Sequence, residues 1–466
     1  MFLPDVLLAI LVFVLVNVVS SRHYFRLHSR VSPACLSEKS LALLRSVPSP
    51  VRASLLMLPS NEAFDASLAV LREFAANCPA FSLDVIDPDR QLAAAEALAA
   101  RVPAAVTESV VFEAAGRSAV VPADSLFAFG LPATDAATDP EPRPVFLGER
   151  LFAGAVRSLF FAAKPAVFFL QGHGERSPDD FDRQNGFSRI AALLRNENLD
   201  VLPLDLATEK AVPAHCALLV VAAPKHPLLP LEVNLIRDFI NRKGPVLFLL
   251  DARDPSGLEP LLADWGVQIG ADFVFDPSHT LSGRDFLALS YPEHPVTRPL
   301  QGLATLFSLP RSIRPAAAPA AGDRPAFSPL VLSSAEGWAE FDTSTASPRF
   351  DPEVDLPGPL AIAAAIERGP LAGVHVQFQP VRLVVFGDAT FVSNGGLVGA
   401  NADLFLNAVN WLLERPDSLA PGPDPLPNGR VLMPLPVRRL FSAIIALGFP
   451  ALAAIAGLVA AFCRRR

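Results

Sequence analysis

The stretch AVFFLQGHGE, residues 166–175, decides the fold: five apolar residues run unbroken into a glutamine and then a glycine-flanked histidine. A strand with one face in water alternates apolar and polar residues, so an unbroken run of this length reads as a strand covered on both faces. The same type recurs downstream as ALLVVAAP (217–224), PVLFLLDARDP (245–255) and VRLVVFGDATF (381–391), with a weaker run, LDVLPLD, at 199–205. Between them lie GFSRIAALLRNE (186–197) and LPLEVNLIRDFINRKG (229–244), and ADLFLNAVNWLLER (402–415) follows the last; all three carry apolar residues at helical spacing. Buried strands alternating with amphipathic helices predict a mostly parallel sheet with helices on both faces. Residues 281–379, rich in Pro, Ser and Ala, show neither period and are read as an insertion into this unit, which is placed at 145–415.

Upstream, from Val51, the pattern is strand, helix, strand, helix and two strands around the turn at Ala115 and Gly116. This predicts a small β-α-β-α-β-β unit of thioredoxin-like size over 51–130. Without a CxxC pair it has no thioredoxin chemistry. The Pro/Ala/Thr/Asp-rich stretch LPATDAATDPEPRP (131–144) reads as a linker, and FLGERLFAGAVRSLFFA (146–162) as a helix opening the second unit.

Both ends are strongly apolar. Val6 to Ser21 has no charge, and its flank carries Asp5 in place of the lysine or arginine of a signal peptide, so residues 1–21 are expected to be a retained transmembrane anchor. Leu440 to Cys463 is uncharged and bracketed by Arg438, Arg439 and Arg464 to Arg466, which predicts a second spanning helix at 440–463. The expected fold class is therefore α/β, membrane-anchored, with one transmembrane helix at each end. The expected location is the inner membrane, crossed twice, with the body outside the cytoplasm.

Charge and composition exclude several functions. With 39 basic and 47 acidic residues the net charge is -8, and no long Lys/Arg block exists, so nucleic acid is not an expected partner. The four cysteines, Cys35, Cys78, Cys216 and Cys463, are far apart and form no zinc or redox motif. No Walker A sequence and no G-x-S-x-G elbow are present, and no cofactor or metal is expected.

What chemistry the chain could carry belongs at the carboxyl ends of the large sheet's strands, where ligands of open α/β folds sit. QGHGER, AAPKHP, DARDPSG and GDATFVSNGG would converge there, making His173, Glu175, Asp251, Asp254, Asp388 and Asn394 a candidate binding edge. Carboxylates and glycines at strand ends are equally what turns and helix caps require. No HxH or HExxH spacing fixes two metal ligands on one element, and Cys216 lies at the start of an apolar strand rather than on an elbow.

Taken in order, VIDPDRQLAAAEALA (85–99), FFLQGHGE (168–175), GFSRIAALLRNENLDVLPLDL (186–206), VPAHCALLVVAAPKHPLLPLEVNLIRDFI (212–240), LLDARDPSGLEPLLADWGV (249–267) and FGDATFVSNGGLVGANADLFLNAVNWLLER (386–415) resemble the gliding-motility-type auxiliary components of ABC transporters. The central domain of that family is also related to one in intraflagellar transport proteins. The resemblance spans the chain except 281–379, and departs from the family in the juxtamembrane stretch HSRVSPACLSEKSLALLRSV (28–47). It implies a non-enzymatic, membrane-anchored accessory subunit, with the lipid bilayer, an ABC permease and a separate ATPase subunit as partners and no catalytic residues. The alternative is a membrane-bound hydrolase or amidotransferase-like enzyme using the GHGE loop.

Overall fold

The computed structural model describes residues 36–103, 108–129, 144–160, 164–251, 255–316, 325–342, 348–369, 380–415, 418–419, 434–448, 451 and 455. The fold is mixed α/β with several sheets. After helix α1 (Glu38–Ser46), four strands form the first sheet: β1 (Val51–Leu56), β2 (Phe81–Ile86), β3 (Ser109–Ala114) and β4 (Arg117–Pro122), in the order β2-β1-β3-β4. β1 and β2 run parallel, which requires a crossover, and helix α2 (Phe64–Asn77) supplies it. β3 and β4 are antiparallel and join through Ala115 and Gly116, both at positive φ, the geometry that suits a tight hairpin. Helix α3 (Leu92–Arg101) lies between β2 and β3 in sequence.

A short antiparallel pair, β5 (Phe127–Phe129) and β6 (Pro144–Phe146), precedes helix α4 (Gly148–Phe160). Phe152, Ala155, Val156 and Leu159 recur at helical spacing and join the core of the first sheet, with the Phe112 and Phe152 rings 5.6 Å apart. The helix expected to open the second unit thus buries its apolar face on the first. Its other side meets the large sheet's layer closely: a Cβ on Gly154 would lie 2.6 Å from the carbonyl oxygen of Asn196.

Among the described residues the large sheet has nine strands. Its parallel part consists of β7 (Ala166–Gln171), β8 (Asp200–Asp205), β9 (Cys216–Ala222) and β10 (Val246–Leu249), joined later by β20. The chain between β10 and β20 contributes β11 (Val267–Ile269), β12 (Phe273–Phe275), β13 (Asp285–Ala288), β14 (Thr305–Ser308), β15 (Ile313–Pro315), β16 (Ala326–Leu332), β17 (Trp338–Glu340), β18 (Leu356–Pro357) and β19 (Ala361–Arg368). With β20 at Val381–Phe386, the order is β11-β15-β19-β20-β10-β9-β7-β8, and β16 also pairs with β19. Only β20, β10, β9, β7 and β8 are mutually parallel; β19 pairs antiparallel with β20, and β11, β15 and β16 add further antiparallel pairs. The expectation of a mostly parallel sheet is corrected here, because the stretch read as an insertion supplies β15, β16 and β19 to this same sheet.

Side-chain alternation explains the unbroken apolar runs. In β7, Val167 and Phe169 face one core, against helices α5 (Ser188–Asn196) and α9 (Asn401–Leu412). Ala166, Phe168 and Leu170 face the other, against α7 (Pro230–Asn241) and α8 (Glu259–Asp264). The one-turn helix α6 (Leu206–Glu209) follows β8, its first turn capped by the Asp205 carboxylate.

The transmembrane part of the expected fold class is overturned. No helix among the described residues is long and apolar enough to cross a membrane. Of the two expected spans, 1–21 lies outside the described residues. In the second, helix α10 runs Leu435–Ala443, takes Arg438 and Arg439 into its body and passes into a π turn at Ile444–Gly448. The two-pass inner-membrane placement falls with these spans.

Candidate functional site

Four loops leave the carboxyl ends of adjacent strands β7, β9, β10 and β20 and bond to one another. After β7 the chain turns through Gly172 and Gly174, at φ 123° and 78°, where only glycine avoids steric cost. Between them the His173 carbonyl accepts the N–H groups of Lys225 (2.8 Å) and His226 (3.0 Å) in the loop after β9. Arg176 returns to β9 by donating its N–H to the Ala222 carbonyl at 2.9 Å. Its guanidinium meets Asp251 Oδ2 at 3.3 Å, and Asp251 Oδ1 accepts the Ala389 N–H after β20 at 3.0 Å.

Within this edge the candidate residues divide into three groups. His173 stands between two carboxylates: Nδ1 lies 3.2 Å from Glu175 Oε1, and Nε2 lies 2.9 Å from Glu232 Oε2. Each ring nitrogen of His173 thus faces a carboxylate oxygen, and neither is open to the loop's exterior partners. Glu175 also accepts the His173 backbone N–H at 2.6 Å, and Glu232 accepts the Leu229 N–H at 2.8 Å at the start of α7. Glu232 was not picked out from the sequence, although a Glu in the first turn after Leu229-Pro230 is a readable capping signal.

Asp251 and Asp388 form the second group, joined by Arg176 and Thr390. Asp388 is buried and accepts the N–H groups of Ser308 (2.7 Å) and Thr390 (2.6 Å). Burial, reinforced by the nearby charge of Asp251, pushes its carboxyl up to about 7. Arg176 Nη2 lies 3.3 Å from Thr390 Oγ1 as well as from Asp251, so one guanidinium ties β7, β10 and β20 together. Arg176 sits inside the stretch that marks the edge, yet nothing in its local sequence signals this role. Asp254 lies outside the described residues.

The raised Asp388 value has a measurable consequence. Between an ordinary carboxyl near 3.8 and the folded value near 7, the folded protein holds a proton that the unfolded chain releases. Stability therefore falls as pH rises across that window. Asp388→Asn is expected to remove this part of the slope, measured by urea unfolding at pH 5 and pH 8. An identical pH 5 to pH 8 difference in wild type and variant would contradict the assignment.

Asn394 works apart from the other two groups. Its Nδ2 donates to the Asp182 carbonyl (2.7 Å) and to Ser188 Oγ (3.1 Å), and its Oδ1 accepts the Arg189 N–H (2.9 Å). It clamps the loop between β7 and α5. No group of three or more His, Cys, Asp or Glu side chains is placed to hold a metal ion among the described residues. Cys216, at the start of β9, is a free buried thiol whose pKa burial pushes up to about 12, so it is not a nucleophile at neutral pH.

A family model described as "ABC-type uncharacterized transport system" matches residues 164–410, more than half of the chain. The chain belongs to that family. Every residue of the candidate edge falls inside the match, and membership makes the protein an ABC-type transport auxiliary component. No curated protein matches. Among solved structures the chain is similar to the mmIFT52 N-terminal domain, at 15% identity over 53% of this chain and 97% of that one, with a TM-score of 0.39. It is also similar to a putative thua-like protein from Bacteroides uniformis, at 13% identity over 54% of this chain and 93% of that one, with a TM-score of 0.32.

Proposed function

We propose that this member of the ABC-type transport family is a non-enzymatic accessory subunit whose large-sheet edge engages the permease, the separate ATPase subunit or the transported material. One observation carries the reading: the described side chains of the candidate edge are engaged by neighbouring protein groups. A hydrolase working through the GHGE loop needs a histidine nitrogen free to take a proton from a nucleophile or water. Both His173 nitrogens already face carboxylates, at 3.2 and 2.9 Å. Asp388 is buried under two backbone donors, and Asp251 is engaged by Arg176 and the Ala389 N–H. Such an arrangement holds loops in fixed positions, which is what a docking edge needs.

Co-expression of the full chain with the transporter's permease and ATPase subunits, followed by detergent solubilisation and purification through a tag on this chain, is expected to recover those subunits. Recovery of the tagged protein alone, or turnover of an amide, ester or glycoside by the purified protein, would overturn the reading.

A further inference from the structure

We propose that Phe181 anchors a protein–protein contact, inserted by the loop after β7 into an apolar pocket with a basic rim on a partner subunit of the transporter. The inference rests on the accessory-subunit reading and names the part of the edge that does the docking.

Phe181 is 81% exposed, more than any other large hydrophobic residue among those described. Single exposed apolar residues are ordinary, but this one is held out by a loop whose order owes nothing to its ring. The Asp182 N–H donates to Asp180 Oδ1 (2.9 Å), and the Gln184 and Asn185 N–H groups donate to Asp182 Oδ1 (3.0 and 2.7 Å). Asn394 clamps the Asp182 carbonyl from across the sheet. The loop closes at Gly186, where a Cβ would lie 2.2 Å from the Asp180 carbonyl oxygen and only glycine fits. A rigid aromatic loses little conformational entropy when bound, and aromatic anchors of this kind dominate interface energies.

Charge identifies the partner's chemistry. Asp179, Asp180 and Asp182 are exposed around Phe181; Arg183 lies in the same run, and Arg195 pairs with Asp179 at 3.5 Å, which leaves Asp180 and Asp182 as the acids that directly flank the ring. The backbone N–H groups of Asn185 and Gln184 hold the Asp182 carboxyl below its ordinary range. Asp180 and Asp182, on either side of an apolar knob, suit a pocket rimmed by lysine or arginine.

The test compares wild type, Phe181→Ala and Asp179→Lys, each as the full chain co-expressed with the permease and ATPase subunits. Phe181→Ala is expected to melt with wild type, because the ring is exposed, and Asp179→Lys to lose no more than about 1 kcal/mol, the worth of its exposed ion pair with Arg195. Phe181→Ala is expected to lower recovery of transporter subunits at least about tenfold, as loss of an interface hot spot does. Asp179→Lys is expected to give a smaller loss, and wild-type recovery is expected to weaken as salt is raised. A photoreactive benzoylphenylalanine at position 181 should crosslink to one of the two subunits. Unchanged recovery with Phe181→Ala, while wild type brings the transporter down, overturns the anchor and leaves the accessory reading standing. No recovery by wild type overturns both. Binding to protein-free anionic vesicles that Phe181→Ala abolishes would assign the residue to a membrane and overturn the proposal.

Discussion

Glu197→Gln is expected to destabilise the protein by about 3–5 kcal/mol, the range for removing one partner of a buried charge pair. Glu197 follows α5, and three cations converge on it from other parts of the chain. Lys39 Nζ of α1 lies 2.7 Å from Oε1, Arg157 Nη1 of α4 lies 3.7 Å from Oε2, and Arg415, just past α9, donates to the Glu197 carbonyl at 2.9 Å. Lys39 and Arg157 are buried, so a neutral glutamine removes their direct carboxylate partner and leaves Asp403 as a counter-charge for Lys39. Burial alone pushes the Glu197 carboxyl up, but Lys39 and Arg157 together hold it below its ordinary 4.5. A lowered carboxylate contributes stability that is present above 4.5 and is lost as pH falls through the folded value. Chemical denaturation at pH 7 measures the loss, and Lys39→Met added to Glu197→Gln should recover part of it by removing one stranded charge. A change below about 1 kcal/mol would mean that water reaches the cluster and screens it. Because the cluster joins helices of the first sheet's layer to those of the large sheet, its loss should also speed proteolysis in the 164–251 region.

The parallel half of the large sheet was legible because burial on both faces leaves an imprint no other element makes: AVFFL, ALLVV, VLFLL and RLVVF each supply alternate residues to two cores. The antiparallel half left no such imprint. β11 and β15 are three residues long, and β16 carries Pro329 next to a register shift. In β19, AIAAAIER, six of the eight residues are alanine, glutamate or arginine, which favour helix by intrinsic propensity. It is a strand because its neighbours β16 and β20 are already extended and bury Ala361 to Ile366, and pairing that arises between residues so far apart cannot be read locally. The ends misled for a related reason. An apolar run states that burial is favourable, not that one helix crosses a membrane, and among the described residues no helix is long and apolar enough to do so.

The candidate edge was legible in position and not in wiring. Gly172 and Gly174 announce a turn at the end of a buried strand, and strand order places the turn beside the ends of β9, β10 and β20. The contacts that define the edge join residues 59 to 214 positions apart, from His173 with Glu232 to Arg176 with Thr390. Hydrogen bonds at such separations depend on register, which the pattern of apolar residues fixes only after the strands have been paired. Asn394 illustrates the limit: among the glycines of GDATFVSNGG it reads as a turn former, while its side chain clamps a different loop.

Trp411→Ala is expected to cost about 3–5 kcal/mol, the range for truncating a buried tryptophan. Leu404, Ala408, Trp411 and Leu412 recur at i, i+4, i+7 and i+8 on α9, and all four are buried in the core that this helix shares with α5 and the sheet. Trp411 closes the end of that core. The His294 ring packs on it edge-on at 5.0 Å, and the Arg382 guanidinium lies 4.8 Å over its face while donating to the Trp411 carbonyl at 3.2 Å. Burial first, and then the Arg382 charge, lowers His294 to about 4. Between that value and the ordinary 6.5 the unfolded chain takes up a proton that the folded protein refuses, so stability falls as pH drops from 6.5 to 4. Removing the indole admits water to the imidazole, which lets the folded state accept the proton and flattens that part of the profile. The variant is therefore expected to lose most stability at pH 7 and proportionally less at pH 5, read by chemical denaturation at both values, with the His294 titration followed by NMR. A variant that melts with wild type at pH 7 would show that the indole packs on nothing, and Trp411 would then be a surface residue free to contact a partner.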